Sequence, residues 1–183
     1  MKAFRLIALL TVLTLGANAQ EVKFPALDSS PADIVYYPLN VAKSKDDSTP
    51  LIKVIYSRPS KKGREIFGVL EQYGKIWRLG ANESTEIRFY KPAVIEGKKI
   101  KAGTYSLFAI PNKDKWVLIF NKQLDKWGAF TYNQQKDVMR VEVPVKALAK
   151  PQEILAITFI PAENGARLII AWDSTQVELP IGI

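Results

Sequence analysis

From Leu51 onward the chain is cut into short β-branched and aromatic runs, with turn residues recurring roughly every 8–12 residues. That spacing leaves no room for helices between parallel strands. It predicts an all-β antiparallel sandwich, jelly-roll-like, of about 8–10 strands. "TEIRFY" (85–90) alternates Ile87 and Phe89 with Glu86 and Arg88, the pattern of a half-buried strand. "DVMRVEVPV" puts Met139, Val141 and Val143 on one face and Arg140 and Glu142 on the other. Gly97 and Gly103 mark turns, "NKDK" marks a hairpin loop, and Asn164-Gly165 is a strong hairpin signal, with a further turn expected after Trp172. "WVLIF" and "ARLIIAW" are apolar on both faces, as central covered strands or strands lining an apolar cavity would be. Only a short stretch around Val145 to Ala149 reads as helix.

The N-terminus follows a different logic. Lys2 and Arg5 precede an apolar run from Leu6 to Leu15, and Ala17-Asn18-Ala19 offers small residues for cleavage. This is the pattern of a bacterial secretory signal over residues 1–19. Its apolar run is shorter than the roughly 20 residues a membrane span needs. No cysteine follows, so an N-terminal lipid anchor is not expected. The expected product is exported, periplasmic or extracellular, without a membrane span after cleavage. Residues 20–50 read as an irregular arm and polar spacer, with Ile34 to Tyr37 a candidate edge strand, and residues 51–183 as the sandwich domain.

Composition narrows the chemistry. The chain has no His and no Cys. Imidazole acid–base catalysis, Ser-His-Asp triads, Cys nucleophiles and zinc sites built on Cys or His are therefore excluded. An all-oxygen site for calcium or magnesium stays open to this composition, but no acidic spacing of the EF-hand kind appears, and no metal and no cofactor are expected. The net charge of +8 falls to +6 once Lys2 and Arg5 leave with the signal. Lys61-Lys62 and Lys98, Lys99 and Lys101 read as solvated turns or as contacts for anionic envelope polymers. No nucleic-acid motif is present, and nucleic acid is not an expected partner.

One stretch concentrates polar and aromatic residues among glycines: "SRPSKKGREIFGVLEQYGKIWRLGANESTEIRF". Its elements Ser57-Arg58-Pro59, Lys62-Gly63-Arg64, Ile66-Phe67-Gly68, Tyr73-Gly74, Trp77-Arg78 and Gly80-Ala81-Asn82-Glu83, then Thr85, carry a resemblance. With "AGTYSLFAIP" (102–111) and "WGAFTYNQQKDVMRVEVPV" (127–145), the chain resembles an uncharacterised bacterial family, domain of unknown function 2911. Leu79 stands where that pattern has threonine. The resemblance brings no activity.

The residues themselves allow two accounts. In the structural one, the glycines make turns, Glu83 pairs bidentately with an arginine, Asn82 satisfies turn amides, and Trp77 caps the core beside Tyr73. In the functional one, Arg64, Tyr73, Trp77, Arg78, Asn82 and Glu83 line one end of the sandwich, with Trp127 and Tyr132 as the opposite wall. Such a site would take a small polar or anionic ligand or a carbohydrate. The leading expectation is a ligand-binding or envelope-associated module centred on the 73–83 loop. One alternative is a carbohydrate-active hydrolase using Glu83 as acid or base, with a second carboxylate among Glu71, Asp125 and Asp137. The other is a structural module that binds a protein partner and no small ligand.

Overall fold

The computed structural model describes residues 21–183, so the signal segment lies outside the described residues. Nine strands form one antiparallel sheet: β1 (Ala32–Tyr37), β2 (Ile52–Ser57), β3 (Glu86–Phe89), β4 (Ala93–Ile95), β5 (Lys98–Ile100), β6 (Gly103–Pro111), β7 (Lys115–Asn121), β8 (Asp137–Ala162) and β9 (Gly165–Gly182). Their spatial order is β1-β2-β3-β6-β7-β8-β9-β4-β5. The chain thus meanders, apart from the β4–β5 hairpin, which crosses to the far edge and meets β9 at Val94 and Gly182. The sheet does not close into a barrel. Ile34 to Tyr37 fall in β1, the edge strand paired with β2.

Strand β8 turns the sheet over on itself. Its first residues pair with β7, from Asp137 to Pro144, and the rest pair with β9, from Val145 to Ala162. Between Ala147 and Ala156 the register slips twice, around Pro151, which has no N–H to give a ladder. Opposite, Asp173 takes φ +52, so β9 bulges where a turn after Trp172 was expected and runs on unbroken. The expected short helix at Val145 to Ala149 is also strand. Val145, Lys146 and Ala147 pair with Val177, Gln176 and Thr175, and that pairing overrides a weak local preference.

The folded halves face each other across the core. Tyr56 Oη accepts from the Ile157 backbone N–H at 3.0 Å, and Tyr37 Oη donates to the Gly165 carbonyl at 2.7 Å. Tyr37 also packs on Phe159 with ring centroids 5.8 Å apart. Ile52, Val54, Ile87, Phe89, Leu118, Phe120 and Leu168 fill the interior, as the period of two requires. Phe108 and Ile119 are cross-strand partners, both buried but outside that core. Tyr132 covers Phe108 edge-on at 5.2 Å, so the outer face of β6 beside Ile119 carries apolar residues under cover as well. Gly165 takes φ +141 in the β8–β9 hairpin, and a Cβ there would run into the Ile181 carbonyl.

Candidate ligand cavity

The segment from Arg58 to Thr85 joins β2 to β3 with almost no strand of its own. Other elements therefore have to satisfy its backbone. Trp77 N–H donates to the Ala109 carbonyl at 2.7 Å, and Ala109 N–H returns to the Trp77 carbonyl at 2.9 Å, clamping the segment onto β6. Gly74 N–H donates to Pro111, and Thr85 N–H to Arg78. Leu79 is fully buried at φ +57, and its carbonyl accepts from Thr85 Oγ1 at 2.7 Å.

Trp77 belongs to the core. It is 2% exposed, stacks on Trp172 with centroids 5.8 Å apart, and meets Phe67 and Trp116 edge-on. Its Nε1 donates to the Gly80 carbonyl at 3.3 Å. Tyr73 lies further out, its ring against Gly68, where φ is +95 and a Cβ would come within 2.7 Å of the ring. Asn82 serves through its backbone. It adopts φ +58, a conformation asparagine tolerates, and its carbonyl accepts from Gly128 N–H at 2.9 Å.

Arg64 and Arg78 come together on one cavity of about 420 Å³, with Lys62, Glu71 and Trp172 also in its wall. Two neighbouring cations are already matched: Arg58 binds Asp33 at 2.9 Å, and Lys61 binds Asp173. The cavity cations are not. Among the described residues, no ion pair involves Lys62, Arg64, Arg78 or Glu71. Arg64 is fixed instead by backbone carbonyls, Nε to Lys61 at 2.9 Å and Nη2 to Ser60 at 2.6 Å, which orient it without cancelling its charge. Arg78 Nε is buried and has no hydrogen-bond partner. Burial pushes the Glu71 carboxyl up to about 7, against the pull of Arg78 and Arg64.

The remaining expected residues lie elsewhere. Glu83 is exposed, forms no ion pair among the described residues, and pairs through its backbone with Trp127, so it is not an arginine's partner. With Glu86 and Asp125 it lines a second cavity of about 200 Å³. Of the three carboxylates considered as its partner, only Asp125 shares that cavity. Burial also raises Glu86. Trp127 is 61% exposed. Tyr132 donates to Asp137 Oδ2 at 2.6 Å and accepts from Arg140 Nη2 at 2.8 Å. Burial, then the hydrogen bond to Asp137, pushes its hydroxyl up to about 12.

The sequence reading missed Lys62 and Trp172 as wall residues and considered Glu71 only as a partner for Glu83. The signal available was modest: two acids, Glu65 and Glu71, between two arginines in a glycine-punctuated loop, with nothing in the spacing to say which of them faces the arginines. Among the described residues, no cluster of three or more His, Cys, Asp or Glu is placed to hold a metal, and no helix is long and apolar enough to cross a membrane.

A family model described as protein of unknown function (DUF2911) matches residues 38–181, most of the chain. No curated protein and no solved structure matches it.

Proposed function

Because the chain belongs to the DUF2911 family, whose description assigns no activity, we propose its role from its own cavity: the domain binds a small polar or anionic ligand between Arg64 and Arg78. One observation carries this reading. Among the described residues, Arg78 lines the cavity without an ion-pair partner, and its guanidinium Nε is buried with no hydrogen bond, a costly arrangement for a residue kept only for the fold. The backbone-held Arg64 beside it is a second donor set in a fixed orientation. The N-terminal pattern supports export, and with it a role in the periplasm or outside the cell.

Calorimetric and thermal-shift titration of the chain from Gln20, with neutral sugars, carboxylates and phosphate esters, tests the reading. A saturable ligand should raise the melting midpoint. Arg78→Ala should weaken its binding about 10- to 100-fold, the worth of a charge-assisted hydrogen bond. A screen in which no class shifts the midpoint would remove the proposal.

The hydrolase reading keeps one supporting observation: Glu83, Glu86 and Asp125 border a single cavity, with Glu86 held toward its protonated form by burial. It predicts turnover of an oligosaccharide that Glu83→Gln abolishes while the fold survives.

A further inference from the structure

Resting on the reading of this cavity as the binding site, we infer that its ligand carries a carboxylate, sulfate or phosphate group, and that binding it takes up one proton on Glu71. The charges on the wall set the first half. Lys62 and Arg64 come from the stretch after β2, Arg78 from beyond the Tyr73 turn, and Trp172 from β9 adds an uncharged ring. Glu71 is the one acid in the wall, against three cations. The cations next door are already neutralised, Arg58 by Asp33 and Lys61 by Asp173. An oxyanion is the chemistry that answers two guanidinium charges paired with no carboxylate, because its lone pairs accept from two arginines at once.

Glu71 sets the second half. An anion seated between Arg64 and Arg78 shares the cavity with the Glu71 carboxylate, and two like charges at such range disfavour each other. Protonating Glu71 removes that repulsion and turns the carboxyl into a donor for the same ligand oxygen. The arginines alone do not hold the carboxyl ionised, since burial outweighs them and sets its ordinary titration near neutrality. Occupancy of the site and protonation of Glu71 therefore favour each other, and the coupling is reciprocal.

The probes are sulfate and oxalate, whose charges stay constant between about pH 6 and about pH 8, titrated calorimetrically into the chain from Gln20 at fixed ionic strength. Affinity should be up to about tenfold tighter at pH 6 than at pH 8, with proton uptake visible as a dependence of the heat on buffer ionisation. Glu71→Gln should flatten the pH profile and abolish the uptake. Arg64→Ala, an exposed position chosen in case Arg78→Ala fails to fold, should weaken both probes. Preference for sulfate marks a tetrahedral ligand group and preference for oxalate a carboxylate, and either supports the inference.

Binding that is indifferent to pH, or a pH profile unchanged in Glu71→Gln, overturns the proton coupling and leaves the binding reading standing. A neutral sugar that binds here and is displaced by neither probe overturns the anionic class alone. Effects matched by chloride at equal ionic strength mean screening only and also overturn it. If no ligand of any class binds, both readings fall together.

Discussion

The aromatic cluster and the charged cavity both draw on the stretch between β2 and β3 and share Trp172, yet they follow opposite rules. In the cluster, Phe67, Trp77, Trp116 and Trp172 pack with centroids about 5–6 Å apart, and the Trp77 indole finds a carbonyl. Its exception, the unpartnered Trp116 Nε1, is a neutral donor. In the cavity the groups are charged, and no protein partner cancels them. Packing explains every residue of the first region. It explains none of the charges in the second, and such a surplus is expected of residues kept for something other than stability.

The sharpest test sets adjacent residues against each other. Trp77→Ala should cost about 3–5 kcal/mol in denaturant unfolding, because it empties the middle of the cluster. Arg78→Ala should stay within about 1 kcal/mol or stabilise, since it removes a charge that nothing pairs. Equal losses would show that the cavity is architecture, and the division between the regions would fail.

Glu71 gives a smaller effect with a sign. Its folded carboxyl titrates near 7 against an ordinary 4.5, so between those values the folded chain keeps a proton that the unfolded chain has released. Stability therefore falls as pH rises through that window and levels off above it. Glu71→Gln should abolish this loss. The variant should be more stable above pH 7 by about 1–3 kcal/mol, a figure discounted for the solvent reaching the side chain. Below about pH 4.5 the two proteins should unfold alike. The opposite sign would mean that the arginines hold Glu71 ionised, and the cavity would then be an internally balanced pair.

Next come the matched and unmatched cations. Arg58 bridges Asp33 and the Leu155 carbonyl, tying β2 to β8, so Arg58→Ala should lower stability by about 1–2 kcal/mol. Arg64 holds only carbonyls of its own turn, and Arg64→Ala should cost about 0.5 kcal/mol or less. The same pair should exchange order in ligand affinity, with Arg64→Ala the more harmful.

This contrast also separates what the sequence could convey from what it could not. Strands with period-two alternation were legible because side-chain direction follows from residue parity: Ile87 and Phe89 point inward whatever lies opposite. Gly97, Gly103 and Asn164-Gly165 were legible because backbone geometry limits who may sit in such turns. The bulge at Asp173 was not, since it answers a register slip in β8, which is a property of two strands. The cavity was half legible for a similar reason. Arg64 and Arg78 stood out by residue type, but a loop without period gives no rule for which side chains converge. Adjacent Trp77 and Arg78 end in opposite environments, and Asn82 and Glu83 end away from both. Glu71 joins the arginines only because the folded loop brings it there.

Glu83 is where the smallest effect decides the most. Its carboxylate is exposed and forms no ion pair among the described residues, while its backbone carries the contact to Trp127. Removing the charge alone should therefore change unfolding by no more than about 0.5 kcal/mol. It should also leave the affinity of the Arg64–Arg78 cavity untouched, since Glu83 lines the other cavity, with Glu86 and Asp125. The measurement is a denaturant midpoint for Glu83→Gln, with anion titration on the same sample. A loss near that of Arg58→Ala would mean that the carboxylate holds the Trp127 loop in place. An altered anion affinity would join the two cavities into one extended site.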